Sequence, residues 1–195
     1  QSATAKIGNN KRTVIVGNNS IVWTDDGTSF TEASSYQDLT YIGVVRGASQ
    51  FVAVDGNGRV KQSNDGTSWG DSATNLLSYS QTFTKIEVGN NVICAIGPGT
   101  DKVYRSADDG ANWTEVTAGV SNAEFMAYGN GKWVICNEAG DTWESVDDGV
   151  TWTAGPDIGD VQHDVCDLVF GAGKFVASTF DSPNDLSTVD FILIT

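Results

Sequence analysis

Short apolar runs recur along the chain in the same order about every 40 residues, separated by polar and glycine-rich segments. Each repeat begins with a short apolar segment that ends near a glycine, as at 41–45 and 85–89. A nearly continuous apolar run follows, at 13–16, 51–54, 92–96, 133–136 and 175–178. These runs are too short for helices and are apolar on both faces, so they predict strands that are buried on both sides.

The next segment of each repeat alternates between apolar and polar residues, which predicts a half-exposed third strand. It lies at 20–24, 58–63, 102–106 and 141–145. A turn containing Asp and Gly comes next, and a short fourth strand is expected after it. The linkers 31–40, 70–84, 114–124 and 154–166 are rich in Ser, Thr, Gly and Asp, and they are predicted to be loops. No amphipathic helix is predicted, and residues 76–77 are the best place for a single helical turn.

The turn between the third and fourth strands carries the most regular motif in the sequence. Ser-x-Asp-x-Gly-x-x-Trp is complete at 106–113 and 145–152, one residue shorter at 63–69, and has Thr and Phe at its ends at 24–30. The Asp can accept hydrogen bonds from its own turn, the Gly can take a left-handed conformation, and the aromatic ring can pack between strands. We predict that these residues brace the turns: Asp26, Gly27, Phe30, Asp65, Gly66, Trp69, Asp108, Gly110, Trp113, Asp147, Gly149 and Trp152.

The repeats predict an all-β fold, because periods of about 40–45 residues are typical of propeller blades. We expect a single domain over residues 1–195, a small β-propeller of about five blades with up to four antiparallel strands each. The fifth repeat lacks the turn motif and a fourth strand. We expect residues 1–5 to supply that strand and close the ring; the alternative is an open array.

Composition narrows the class of partner. The chain has 11 Lys and Arg against 25 Asp and Glu, a formal net charge of −14. Such a surface repels phosphate, so we expect neither nucleic acid nor an anionic membrane as a partner. No apolar run approaches the length of a membrane span, so we expect no membrane insertion. The three cysteines, at 94, 136 and 166, are too few and too far apart for a disulfide framework. We expect them to act as small apolar side chains.

The complete motif resembles the Asp-box, also called the bacterial neuraminidase repeat. With Gly-Asn-Gly-Lys-Trp at 129–133 and Gly-Ala-Gly-Lys-Phe at 171–175, the units are similar to those of Asp-box β-propeller proteins over nearly the whole chain. Such repeats occur in sialidases, other glycosidases, sorting receptors, photosystem assembly factors and bacteriophage structural proteins. The resemblance therefore implies the architecture and leaves the function open.

The residues available argue against catalysis. For a sialidase, the resemblance implies a cluster of three Arg that grips a carboxylate, a Tyr nucleophile beside a Glu, and an acid Asp. The chain has Arg only at 12, 46, 59 and 105, and two of these lie on the predicted outer strands. No phosphate-binding loop and no nucleophile motif near His163 are present. We expect no enzymatic activity.

The resemblance to short, non-catalytic phage modules then implies a structural or interaction protein of the virion, in the tail or as a capsid decoration. Its partners would be other chains of the assembly. The alternative is a carbohydrate-binding propeller, lectin-like or receptor-binding, for which the location would be secreted; a glycosidase ranks third.

Two sets of residues are candidate sites. The loop aromatics Tyr36, Tyr41 and Tyr79 are candidates for a recognition face. The carboxylates Asp181, Asp185 and Asp190 are candidate Ca²⁺ ligands, because Ca²⁺ prefers oxygen donors. No other cofactor is expected.

Overall fold

The computed structural model describes residues 2–7, 10–34, 40–72, 82–158, 163–181 and 185–194. Within these ranges all elements of regular secondary structure are β-strands. The described residues contain no helix that is long and apolar enough to cross a membrane. The strands are β1 (Ser2–Ile7), β2 (Asn10–Gly17), β3 (Ser20–Thr24), β4 (Thr31–Glu32), β5 (Tyr41–Arg46), β6 (Phe51–Asp55), β7 (Val60–Ser63), β8 (Gly70–Asp71), β9 (Lys85–Gly89), β10 (Val92–Ile96), β11 (Lys102–Ser106), β12 (Thr114–Thr117), β13 (Phe125–Gly129), β14 (Lys132–Cys136), β15 (Thr142–Ser145), β16 (Thr153–Ala154), β17 (His163–Gly171), β18 (Lys174–Asp181) and β19 (Asp185–Ile194).

The described strands form antiparallel sheets in which chain neighbours pair. The first, second, third and fourth sheets have the orders β1-β2-β3-β4, β5-β6-β7-β8, β9-β10-β11-β12 and β13-β14-β15-β16. The last sheet has three strands, β17-β18-β19. Tight turns join the strands, as where Gly129 pairs with Lys132 and Gly171 with Lys174. The predicted all-β class and the small antiparallel sheets are confirmed.

By its contacts the chain divides into two compact units, Gln1–Ala95 with Tyr104–Thr114, and Ile96–Val103 with Glu115–Thr195. In the first unit, one core cluster joins the first and second sheets through residues such as Val14, Phe51 and Trp69. A further cluster in that unit joins the other face of the second sheet to residues of the third, among them Val52 and Ile93.

The second unit has its own core between the fourth and last sheets. Val134 and Cys136 from β14 pack there against Leu168, Phe175 and Ala177 from the last sheet. All five side chains are at most 3% exposed. Each sheet is too small to bury its apolar side chains alone, so stacking against the next sheet is the main source of stability.

The predicted two-sided burial holds only for the second strands of the middle sheets. All five residues of β6 and of β10 are buried, and β14 is buried from Trp133 onwards. In β2 and β18 the prediction of burial on both sides was wrong, because burial alternates along each strand. One face of each of these two strands is incompletely covered, which an apolar run cannot reveal by itself.

The ends of the chain also differ from the prediction. Residues 2–5, expected to complete the last blade, belong to β1, which pairs with β2 from Ser2 opposite Ile15 to Ile7 opposite Asn10. A hairpin partner that follows at once in the sequence is entropically cheaper to reach than a distant strand. The last strand of the last sheet is long, since β19 runs over ten residues from Asp185 to Ile194. Residues 76–77 lie outside the described residues.

Candidate functional site

The four Asp turns (residues 24–30, 63–69, 106–113 and 145–152) share one hydrogen-bonding scheme. In the fourth, Ser145 Oγ donates to Asp147 Oδ1 at 2.8 Å and accepts from the Gly149 N–H at 2.9 Å. Asp147 also accepts from the backbone N–H of Thr151 at 2.8 Å and from its hydroxyl at 2.6 Å. The Trp152 indole N–H donates to the Gly149 carbonyl at 3.2 Å. Every polar group at the centre of this turn therefore has a partner.

The other turns repeat this scheme with small changes. Thr24 replaces Ser in the first turn and accepts from the Gly27 N–H at 2.9 Å. Ser106 accepts from Gly110 in the third turn, also at 2.9 Å. The Thr151 hydroxyl and N–H lower the pKa of Asp147 to about 2, since these donors stabilise the charged carboxylate. The motif carboxylates therefore accept hydrogen bonds from residues of their own turns.

The four Arg residues give no carboxylate-gripping cluster in the described structure. Arg12 forms an ion pair with Asp25 at 2.7 Å and lies 4.2 Å from the ring centroid of Trp23. Arg46 lies over the Phe51 ring at 5.0 Å, and Arg59 is 3.7 Å from Asp55. Arg105 stands opposite Cys94 in the β10–β11 ladder. Arg12, Arg46 and Arg59 are thus engaged in structural contacts.

One cavity of the second unit has an aromatic wall. It has a volume of about 350 Å³, and its lining includes Trp143 from β15, with Asp141 and Asp157 from the loops on either side of that hairpin. Trp143 is half-buried, because Gly119 packs on its ring so closely that an added Cβ would lie 2.6 Å from a ring carbon. Thr142 Oγ1 donates to the Pro156 carbonyl at 2.5 Å and so fixes the segment after β16 against β15.

A second cavity of about 300 Å³ lies beside the first and is strongly acidic. Glu124, Glu138 and Asp164 line it together with Asn137. The Asn137 side-chain amide donates to Asp141 Oδ2 at 2.9 Å and to the Ser121 carbonyl at 3.4 Å. Because Asp141 and Ser121 line the first cavity, Asn137 forms part of a wall that the two cavities share.

Together these cavities form one acidic strip, defined by Glu124, Glu138, Asp141, Asp157 and Asp164, with Trp143 at one end. The described residues that line the two cavities include no Lys, Arg or His. Desolvation by partial burial and the nearby Glu138 carboxylate raise the pKa of Glu124, because both disfavour the charged form. Such a surface is suited to bind positive charge, and an indole face adds a cation–π contact.

Sequence reasoning placed the candidate recognition aromatics elsewhere. Tyr41 is only 5% exposed and belongs to the core cluster between the first and second sheets, so its assignment to an exposed recognition face was wrong. A residue that borders a polar linker can still point into the core, and the sequence does not show which way it points. Tyr36 and Tyr79 lie outside the described residues.

The proposed Ca²⁺ ligands are described only in their backbone. Asp181 stands opposite Asp185 at the end of the β18–β19 hairpin, and Asp190 stands opposite Thr179. Among the described residues, no group of three or more His, Cys, Asp or Glu side chains is arranged to hold a metal ion. The Ca²⁺ site stays a prediction.

The acidic strip was missed at the sequence level. Asp141 and Trp143 were interpreted as ordinary members of an alternating strand, and Glu124 and Glu138 lie 14 positions apart. The available signal was Trp143 itself, a large aromatic residue on a strand predicted to be half-exposed, next to carboxylates. Only the sheet pairing brings the residue before β13, the β14–β15 loop and the residues after β16 together at one end of the fourth sheet.

The fold resembles those of solved β-propellers. YCF48 bound to a D1 peptide is 16% identical with a TM-score of 0.70, and the match covers 97% of this chain and 64% of that one. A GH74 enzyme of Niastella koreensis is 18% identical with a TM-score of 0.64, and the match covers 97% of this chain and 28% of that one. The N-terminal domain of Nup159 is 8% identical with a TM-score of 0.62, and the match covers 93% of this chain and 54% of that one.

These likenesses show the fold, which is that of a β-propeller assembled from small antiparallel sheets. No protein-family model matches the sequence, and no curated protein is significantly similar to it. The chain spans less than two thirds of the length of each of these solved chains.

Proposed function

We propose that the protein is a non-enzymatic interaction module that binds a positively charged segment of a partner protein along the acidic strip. The observation that carries the proposal is the pair of adjoining cavities, lined by five carboxylates and one indole and by no described cation. A Lys- or Arg-rich segment would neutralise the strip and place a cation on Trp143.

The neighbours support protein binding as a use of this fold. One is YCF48 with a bound peptide, and another solved structure holds S. cerevisiae Dbp5 bound to Nup159. The formal net charge of −14 would also attract a basic partner over a distance set by the ionic strength.

A titration with a peptide of alternating Arg and Ser tests the proposal. We expect the backbone amides of the acidic strip and the Trp143 indole N–H to shift in NMR spectra, and the affinity to fall as salt is added. Glu138→Gln removes an exposed carboxylate from the strip and should weaken binding about threefold to tenfold, since one rim charge contributes about 1 kcal/mol.

The matched control is Glu115→Gln. It removes the same charge from an exposed position on β12 that does not line either cavity. If the two variants weaken binding equally, the peptide is responding to net charge and not to the strip. A peptide of alternating Glu and Ser should not bind.

The resemblance to phage modules supplies the setting of the proposal: a virion protein of the tail or capsid surface, which contacts another chain of the particle. Mass spectrometry of purified particles tests this setting. A particle whose protein composition lacks this chain would count against it.

Trp143 also favours a second candidate, carbohydrate binding. The half-buried Trp143 indole can stack on a sugar ring, while Asp141 and Asp157 beside it accept hydrogen bonds from the sugar hydroxyls. A glycan array distinguishes this candidate, because neutral glycans would bind without salt dependence. Two carboxylates in one cavity are also the minimum for a glycosidase, so glycans that bind should be checked for hydrolysis.

A further inference from the structure

Within the first unit, the second and third Asp turns each pack on the second strand of the preceding sheet. The second Asp turn lies on β2, where a Cβ added to Gly66 would stand 2.6 Å from Val14 Cγ2. Arg12 Nη1 donates to the Asp65 carbonyl of that turn at 3.0 Å. Trp69 closes the contact and is 2% exposed.

The next junction in the unit has the same form. A Cβ added to Gly110 of the third Asp turn would stand 2.9 Å from Val52 Cγ1 on β6. Gln62 Nε2 donates to the Asp109 carbonyl at 2.6 Å, and Ser72 Oγ donates to the Gly110 carbonyl at 2.8 Å. The same interface is therefore formed twice: an Asp turn of one sheet, the turn half, packs on the second strand of the preceding sheet, the strand half.

The first sheet presents an uncovered turn half. An added Cβ on Gly27 would meet no described atom within 4 Å, and Phe30 is 54% exposed where Trp69 is 2% exposed. Ile15 and Val22, paired across β2 and β3, are only half-buried. We call these four residues the turn face.

The last sheet presents an uncovered strand half. Val176 occupies the place on β18 that Val14 and Val52 occupy on β2 and β6. It is half-buried, whereas Val14 and Val52 are 0% exposed. Its cross-strand neighbour Val169 is 49% exposed. Lys174 stands two residues before Val176, as Arg12 stands before Val14, and is exposed. We call Val169, Lys174 and Val176 the strand face.

We propose that the turn face of one copy of the chain binds the strand face of a second copy, head to tail. The contact continues the interface that the first unit already forms twice. Lys174 would donate to the carbonyl of Asp26, as Arg12 does to that of Asp65, and Phe30 would be covered as Trp69 is. The charges agree, because the turn brings Asp26 to an exposed Lys. A head-to-tail contact joins further copies unless it closes into a ring.

Sedimentation velocity tests the proposal with two variants on exposed side chains. The unmodified chain should grow in mass from about 1 µM to about 500 µM protein. Phe30→Asp removes the turn face and Val169→Asp removes the strand face, so each variant alone should stay monomeric. Mixed together, each variant still offers the half that the other lacks, so the mixture should form a 1:1 pair and stop there.

The control is Val146→Asp, which adds the same charge at a side chain that is 78% exposed and lies on neither face; it should associate like the unmodified chain. Circular dichroism should show that all three variants are folded. The proposal is overturned if the unmodified chain stays monomeric over the whole range, if Val146→Asp also abolishes association, or if the mixed variants do not pair. Since none of these substitutions touches the acidic strip, failure here leaves the peptide titration unaffected.

Discussion

At the scale of single residues, the small hydroxyl that begins each Asp turn holds the turn together. Ser145 is 2% exposed, yet its oxygen joins the Gly149 N–H to the Asp147 carboxylate. The motif identifies Asp147 by its charge, but the Asp147 carboxylate is linked to the Gly149 backbone through this hydroxyl. The fourth turn therefore depends on a residue that a search for chemistry would pass over.

Ser145→Ala should lower the free energy of unfolding by about 1–3 kcal/mol, because the Gly149 N–H would be left buried without a partner. Ser145→Thr is the matched control: Thr24 fills the same position in the first turn and makes the same bond to Gly27, so its cost should be clearly smaller. Urea unfolding measures both variants. Equal losses would mean that packing, not the hydroxyl, matters at this position.

At the scale of elements, an Asp turn is both a hairpin connection and a docking surface. Gly66 and Gly27 separate the two roles, because both have a positive φ, +79° and +75°. The backbone cost of a side chain is therefore similar at both positions, about 1–2 kcal/mol. Only Gly66 lies against another strand.

Gly66→Ala should cost about 1–3 kcal/mol more than Gly27→Ala, because its methyl group must displace Val14 from the core between the first and second sheets. The difference between the two variants, measured by urea unfolding, cancels the backbone cost. If both substitutions destabilise the chain equally, then the second turn does not pack tightly on β2.

The elements also show how far sequence reasoning reached. Strand positions and turns follow from local patterns, and the motif at 145–152 predicts the Asp147 turn from its own residues. Burial does not follow from the pattern, because β2 and β18 have the same apolar pattern as β6 but are incompletely covered on one face by the described residues. Tyr41 and Trp143 show the same limit: one is buried and one lines a cavity, for reasons that lie in residues distant along the chain.

At the scale of the whole molecule, two sets of carboxylates respond to pH in opposite directions. Hydrogen bonds within the turns lower the pKa of Asp26 and Asp147, so the folded state holds those protons less readily than the unfolded chain. Their contribution is present above the unfolded value of 3.8 and is lost as pH falls through the folded value. Burial raises the pKa of Glu87 and, with the charge of Glu138, that of Glu124. Their contribution is present below the unfolded value of 4.5 and is lost as pH rises through the folded value.

Stability should therefore increase modestly as pH falls from 7 towards about 4.5, and it should decrease from about 3.8 down to about 2. The first change also reflects the loss of self-repulsion in a chain with a net charge of −14. Urea midpoints measured at constant ionic strength give the whole curve.

Thr151→Ala removes the hydroxyl that contributes most to the low pKa of Asp147, so this variant should lose less stability between pH 4 and pH 2 than the unmodified chain. A curve that is flat over that interval would show that the turns do not govern acid unfolding, and a curve unchanged by Thr151→Ala would show that Asp147 does not contribute to it. If the variant still loses part of this stability, the remaining loss belongs to the other turns. Burial there opposes the hydrogen bonds of Asp65 and Asp108 but does not outweigh them, so the pKa of each is also lowered.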